Sequence, residues 1–376
     1  MTLVIIIGCG AIGAMTAYEL SQVQGLQITV IDKQPPAQAA TGAALGVMMG
    51  IISGKVKGRA WELRQTSIRR YETLITELEE ITQGQIPFNR QGILKLCTES
   101  EELEKGQQLA EIRRSQGWQL EIWDADRLLS HCPHLSDRFY GAIYSPQDRQ
   151  VDPTALTHAL VTAAQGNGVT FKFGVNVEGL ATSDGGRCLI QTNAGNMKCD
   201  RLVIAAGLGS TELTKSLQKT IDIRPVLGQA VEYGGVSLGN QEFQPAITAD
   251  DIHIVPVGDC AARTRLRLRD CAARTLGERN YWVGSTVEFP TATGEIVADP
   301  RNLQVVKEKA IAICPALADG AIVKQWSGLR PRPEVAPAPI IGHMPGDDNI
   351  LLATGHYRNG ILLAPATAQA IRKAIA

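Results

Sequence analysis

Two arginines near the C-terminal end have the residue type and setting to do chemistry. One stands in Trp326-Ser-Gly-Leu-Arg330-Pro, the other in Gly355-His356-Tyr357-Arg358-Asn359-Gly360-Ile361-Leu362. A guanidinium is a planar fork that offers a carboxylate two parallel charge-assisted hydrogen bonds. Arg330 is therefore the first candidate for gripping a small carboxylate. Arg358 precedes an Asn-Gly turn and an apolar helical run, so residues 356 to 362 read as a cationic cradle of one side chain and several free N–H groups. His356, alone before a turn, reads as a structural hydrogen-bonder with no acid/base role.

A second cluster lies at the N-terminus. Gly8-Cys-Gly10-Ala11-Ile12-Gly13 follows an apolar run and opens a helical one. Gly8 allows the tight turn, Gly10 admits a pyrophosphate to the backbone, and Gly13 lets the helix pack against a sheet. Asp32 ends the next strand at the spacing expected for an acid that accepts from a ribose hydroxyl. That acid disfavours a 2′-phosphate and hence NADP. NAD and FAD both remain open from this segment.

Three further segments favour FAD. They are Ala40-Thr41-Gly-Ala-Ala-Leu45-Gly46-Val47-Met48, then Ala205-Ala206-Gly207-Leu-Gly-Ser210 with Pro225-Val-Leu-Gly-Gln229, and the C-terminal motifs. With them the chain resembles, in order and over almost its whole length, the FAD-dependent glycine oxidase branch of the D-amino-acid oxidase superfamily. The resemblance implies FAD contacts at Ala11, Ile12, Asp32, Lys33, Ala40, Thr41, Leu45, Gly46, Val47, Val177 and residues 356 to 362. It gives Arg330 the substrate carboxylate, with Arg358 and His253 beside it. His253, in Asp251-Ile-His253-Ile-Val-Pro256, stands where glycine oxidases typically place a tyrosine, and Val287 where they often have methionine. Met48, Tyr281 and Trp282 are further candidates for the pocket wall, or else for the core. No cysteine occupies the positions where sarcosine oxidases tether flavin, so the FAD is expected to be non-covalent. The implied reaction removes a hydride from Cα of glycine or another small amino acid. It yields a 2-oxo acid, ammonia and, with molecular oxygen, hydrogen peroxide. The same resemblance implies a role in thiamine biosynthesis and a homotetramer. The alternatives are a D-amino-acid dehydrogenase that reduces a quinone, the FAD oxidase module of a tRNA-modifying enzyme, and a flavoprotein that turns nothing over.

The elements that must hold these residues follow from apolar periodicity. Residues 3–7 read as a buried strand, 11–24 as a helix and 27–32 as a second strand, a βαβ start. Residues 61–81 and 98–116 read as helices, the latter with Thr98 and Glu101 in capping-box register. A helix opens at Val151-Asp-Pro153. Strands are expected at 92–97, 169–177, 188–192, 202–206 and 351–354, with antiparallel strands over 225–289. Helices are expected at 303–313 and 365–375. Nucleotide-binding signals thus occur at the start, middle and end of the chain. The expected class is α/β (α+β): a discontinuous Rossmann-type FAD-binding domain (1–80, 142–224 and 326–376) interleaved with an antiparallel-sheet substrate domain (81–141 and 225–325).

Composition narrows the classes. The chain has 376 residues and a formal net charge of −1, which gives no hint of a nucleic-acid or membrane-surface partner. No run approaches the roughly 20 apolar residues that span a bilayer. The eight cysteines form no C-x-x-C pair and read as reduced packing residues of a cytoplasmic protein. The histidines are scattered and no metal set is expected. One oddity is a duplication: Asp259-Cys-Ala-Ala-Arg-Thr264 recurs as Asp270-Cys-Ala-Ala-Arg-Thr275 around Arg265-Leu-Arg-Leu-Arg269. It reads as a lengthened hairpin with solvent-facing arginines, or as a basic flap at the substrate mouth or a subunit contact.

Overall fold

Thr2–Ile7 forms a strand whose four C-terminal residues are fully buried, as expected for a parallel strand covered on both faces. In the computed structural model, which describes residues 1–182, 187–236, 238, 242–257 and 279–376, this strand lies inside a six-stranded sheet. The order is Ile340–Met344, Asp347–Thr354, Arg201–Ile204, Thr2–Ile7, Leu26–Asp32, Thr170–Phe173. All neighbours pair in parallel except the edge strand Ile340–Met344. Helices Ala11–Ser21, Arg59–Thr82, Pro153–Gly166 and Gly360–Ile375 pack on one another and on the sheet, sharing one apolar core. On the opposite face, Val177–Thr182, Cys188–Thr192 and Met197–Cys199 form a three-stranded sheet with its own core. The duplicated segment 259–275 lies outside the described residues.

Local chemistry explains where several elements start. Asp152 caps Pro153–Gly166 by accepting from the Thr154 and Ala155 N–H groups, with proline in the first turn. The helix expected from Thr98 starts later, as Ser100–Ser115. The Thr98 N–H and hydroxyl donate to Glu102 rather than pairing with Glu101, because the later start shifts the register by one. The last helix begins at Gly360 and keeps Pro365 inside it. Proline cannot donate to the Ile361 carbonyl. The Tyr71 hydroxyl donates to that carbonyl instead, at 2.6 Å, and Ser67 Oγ accepts from the Ala366 N–H. Pro365 is therefore no boundary.

The second large sheet has eight strands, in the order Ala321–Pro333, Ile223–Val236, Arg279–Gly284, Ile252–Val257, Ala246–Ala249, Ile93–Cys97, Gly141–Ser145, Glu121–Asp124. Its pairings are antiparallel except between Ala246–Ala249 and Ile93–Cys97. Strand alternation gives the sheet two unlike faces. One face carries Val231, Tyr233, Ile252, Ile254, Tyr281 and Val283 into a core with helix Pro300–Ile313. The other turns Ala230, Val255, Trp282 and Trp326 toward Leu45 and Val47. The fold is thus a Rossmann-type α/β unit interleaved with a largely antiparallel sheet.

Candidate active site

The nucleotide-binding candidates meet at one edge of the six-stranded sheet. Gly8 follows Thr2–Ile7, Asp32 ends Leu26–Asp32, Ala206 and Gly207 follow Arg201–Ile204, and residues 356 to 362 follow Asp347–Thr354. All are carboxyl ends of neighbouring parallel strands, where open α/β sheets bind ligands. Val177 follows the fifth parallel strand, and the Val175 N–H donates to the Asp32 carbonyl.

Backbone geometry explains the glycines. Gly8 has φ +103, and a Cβ there would meet the Ala205 carbonyl oxygen at 2.5 Å. A Cβ on Gly13 would lie 1.8 Å from the Gly8 carbonyl oxygen. The N-cap residue of helix Ala11–Ser21 is Gly10, which offers no side-chain cap, and the first turn holds no acid. Thr41 Oγ1 accepts from its first N–H at 3.0 Å, tying the 40–48 segment to the glycine loop. Helix Gly360–Ile375 likewise has no cap from its N-cap side chain and no acid in its first turn. Two helix starts without an acid suit the diphosphate and the electron-rich ring edge of FAD. Asp32 has a use the motif did not show: its Oδ2 accepts from the Cys9 N–H at 2.6 Å and Oδ1 from the Gln34 N–H. The carboxylate thus shapes the loop. Lys33 is exposed.

The inner face of the eight-stranded sheet supplies the other wall. Residues two apart share a face, so Trp326, Gly328 and Arg330 line up, as do Gly228 with Ala230, and Trp282 with Gly284. Across the ladder Gly228 pairs with Gly328, and Gly284 pairs with both Ala230 and His253. Three glycines therefore form a low floor. A Cβ on Gly328 would meet Ala43 Cβ at 2.2 Å, and one on Gly228 would meet Arg330 Nη2 at 2.1 Å. The Arg330 guanidinium lies over this floor.

Arg330 is held by neutral acceptors. Nη1 donates to the Leu227 carbonyl at 3.0 Å, and Nη2 to Ser285 Oγ at 2.6 Å and the Thr286 carbonyl at 3.1 Å. Of the five guanidinium N–H groups, these bonds engage three. No carboxylate pairs with Arg330 among the described residues. Burial, and then the Arg358 charge, pulls the Arg330 pKa below its ordinary value. Among the described residues the ion pair of Arg358 is with Asp251, at 3.6 Å, and that carboxylate is exposed. His253 Nδ1 is buried with no partner among the described residues. Burial, and then Arg358, pulls its pKa down to about 4; Asp251 acts the other way and Arg330 adds to the fall. Three nitrogenous groups from three elements thus converge with little negative charge to balance them.

Other candidates fall elsewhere. Met48 is 1% exposed in the helical core and Tyr281 is 2% exposed on the far face of the sheet, its hydroxyl donating to Gln244 Oε1. Their burial corrects their placement on the pocket wall. Trp282, one residue on, faces inward and meets Trp326 edge-on at 5.9 Å. Val287 lies beyond the end of Arg279–Gly284 and is 37% exposed. His356 is buried, its Nε2 bonded to Thr367 Oγ1 at 2.9 Å, and burial, then Arg59, pulls its pKa down to about 3. Only its backbone is free to serve a cofactor. The sequence reading quoted Gly228 and Gly328 within its motifs without giving them a role, and it missed Gly284 and Ser285. The signal was present as small residues at period two on strands that pair.

Comparison with known proteins agrees with this geometry. The chain is 31% identical over 374 residues to the bifunctional protein ThiO/ThiG of Nostoc sp. strain PCC 7120, covering 98% of this chain but 52% of that protein. It therefore spans about half the length of that relative. It is 28% identical over 370 residues to the glycine oxidase of Bacillus licheniformis, covering 97% and 90% of the two chains. The crystal structure of glycine oxidase from Geobacillus kaustophilus superposes with a TM-score of 0.85 at 24% identity, over 100% of this chain and 95% of that one; this likeness supports the fold. Residues 4–374 match the DAO family of FAD-dependent oxidoreductases, and the chain belongs to that family.

Proposed function

We propose that the protein oxidises glycine or another small amino acid or amine to the 2-oxo acid and ammonia, with molecular oxygen becoming hydrogen peroxide. The observation that carries this reading is the half-buried guanidinium of Arg330 beside Gly228, bonded to neutral acceptors and to no carboxylate among the described residues. A desolvated cation without a carboxylate partner is costly, and a substrate carboxylate would supply the missing charge. The name of one relative, glycine oxidase, supports this substrate class and reaction.

In this reading each group has a separate task. Arg330 binds the carboxylate through the N–H groups left over from Leu227, Ser285 and Thr286. His253 is neutral at pH 7, so it contributes a hydrogen bond rather than a charge. Arg358 supplies positive potential where negative charge develops. The glycines let the Arg330 guanidinium and Ala43 lie close against the inner face of the sheet, beside the apolar cluster of Leu45, Trp282 and Trp326. Bound FAD would supply the two-electron oxidation at Cα. The protein's own part is orientation, because the amine needs only to be uncharged. Gly8, Gly10, Ala11, Ile12, Gly13, Asp32, Lys33, Ala40, Thr41, Leu45, Gly46, Val47, Val177, Ala206, Gly207 and the backbone of residues 356 to 362 are the proposed cofactor contacts.

The test is anaerobic mixing of the yellow protein with glycine, sarcosine, D-alanine and other amino acids. Bleaching by one of them, followed by peroxide release on admitting air, is the expected result. Bleaching without peroxide, relieved only by an artificial acceptor, would favour the quinone-linked dehydrogenase. A flavin that no amino acid bleaches would overturn the proposal. Arg330→Ala should raise KM steeply while FAD stays bound, and Arg330→Lys should not restore it.

A further inference from the structure

We propose that Cys188 and Cys199 form a reversible internal disulfide when the protein meets a peroxide. The two residues stand directly opposite each other where Cys188–Thr192 pairs antiparallel with Met197–Cys199. Opposed residues of such a pair point to the same face with Cα atoms about 4.5 to 5.5 Å apart. That separation falls inside the span of roughly 4.4 to 6.8 Å that a disulfide bridges without backbone movement. Both residues are fully buried, and each thiol shifts the pKa of the other.

The pair is also chemically unequal. Cys188 lies beside Cys199 with its Sγ 4.0 Å from the Asn349 carbonyl; its pKa is lowered and that of Cys199 raised, each chiefly by the other thiol. Arg201 favours the Cys188 thiolate, while Asp347 and Asp200 oppose it. Cys188 is therefore the nucleophile and Cys199 the resolving thiol. The Cys188 thiolate attacks one peroxide oxygen, the O–O bond breaks, and hydroxide leaves with Cys188 as a sulfenic acid. Cys199 sulfur then displaces the hydroxyl from Cys188 sulfur, and the thiol proton leaves with it as water. In sum two thiols lose two hydrogens and one hydrogen peroxide becomes two waters.

Access comes from the position of the pair. Met197–Cys199 is a three-residue outer strand, and the connecting residues 193–196 are exposed. Short edges of this kind open locally without global unfolding. The cross-link would pin a strand that runs directly into Asp200. The Asp200 carboxylate accepts from the Leu3 N–H at 2.8 Å, and its own N–H donates to the Leu3 carbonyl. Oxidation would therefore stiffen the flank of the central strand Thr2–Ile7. Cys132 and Cys314 offer an internal control. They too are buried near each other, but they end two helices instead of facing across a ladder, and burial pushes both thiols up, to about 12 and about 11.

The experiment treats the reduced, FAD-loaded protein with hydrogen peroxide and maps its peptides without reductant. The expected result is a peptide joined through Cys188 and Cys199, an intact mass lower by two hydrogens, a raised melting temperature and full reversal by dithiothreitol. Cys199→Ser should leave a Cys188 sulfenic acid that dimedone traps, and Cys188→Ser should lose both products. The added peroxide makes the outcome independent of whether the protein is itself an oxidase. Absence of the 188–199 link, or its appearance only in urea-unfolded protein, would overturn the proposal.

Discussion

Replacing Gly228 with alanine tests the substrate site without touching a charged group. The added Cβ would lie 2.1 Å from Arg330 Nη2 and 2.4 Å from Cζ and Nη1. An ordinary carbon contact needs about 3.5 Å, so the guanidinium must retreat by about 1.4 Å. Gly228 has no positive φ, so the backbone accepts alanine, and the clashing atoms are the far end of a flexible side chain. Folding should therefore be little affected, while the carboxylate grip is displaced. A shift of about 1 Å in a positioning group costs on the order of 100-fold, equivalent to about 2.7 kcal/mol. Steady-state kinetics with the substrate found by flavin bleaching should show that loss mainly in KM, with FAD content and melting temperature near those of the parent. Gly328→Ala is the matched control. Its Cβ would strike Ala43, in the Ala40–Ala43 helix of the nucleotide segment, at 2.2 Å, so it should loosen FAD first. A Gly228→Ala protein whose KM stays within about threefold of the parent would refute the placement of the carboxylate at Arg330.

Three other outcomes are expected. Asp148 is fully buried and accepts from the Gly50, Ile51 and Ile52 N–H groups; Asp148→Ala strands three donors and should cost at least about 3 kcal/mol in urea unfolding. Tyr71→Phe removes the donor to the Ile361 carbonyl beside Pro365 and should cost roughly 1 to 3 kcal/mol by the same measurement. His134, His253 and His356 have pKa values pulled down to about 4, 4 and 3, chiefly by burial. Unfolded histidines take protons near pH 6.5 whereas these stay neutral until about pH 4, so their contribution is complete above pH 6.5 and is lost as pH falls. The three together should steepen acid destabilisation by up to about 4 kcal/mol per pH unit in that window, read from urea midpoints.

The sequence was most legible where a local rule suffices. The Gly8 to Gly13 loop is readable because strand, turn and helix follow in register, and Asp152-Pro153 marked a helix start because a cap and a first-turn proline act within four residues. It was least legible where a distant partner changes the rule. Pro365 looked like a helix start because the donor that lets it sit inside the helix, Tyr71, is far away in sequence. Met48 and Tyr281 looked like pocket residues because alternation gives two faces without saying which one is inward. That choice is made by Leu45 and Val47, which cover the Trp282 side, while helix Pro300–Ile313 covers the Tyr281 side. Ser285 could not be found as an Arg330 partner by spacing alone, since the two meet only across the intervening strand Ile223–Val236.

Arg330 belongs to a strand of the antiparallel sheet and Arg358 to the turn after a strand of the parallel sheet, yet Arg358 lowers the Arg330 pKa and both lower that of His253. Neither sheet alone would bring them together, so their mutual repulsion is incurred only when the two units dock. That docking is held by Leu45 against Ala230 and Val255, by the Trp326 indole N–H donating to the Ala43 carbonyl at 3.1 Å, and by Arg358 facing the exposed Asp251 carboxylate at 3.6 Å. Apolar burial thus offsets part of an electrostatic cost that Asp251 eases at Arg358 and Glu288 at Arg330, with no carboxylate hydrogen-bonded to Arg330 among the described residues. Such an arrangement is expected of a site whose balancing charge arrives with the ligand.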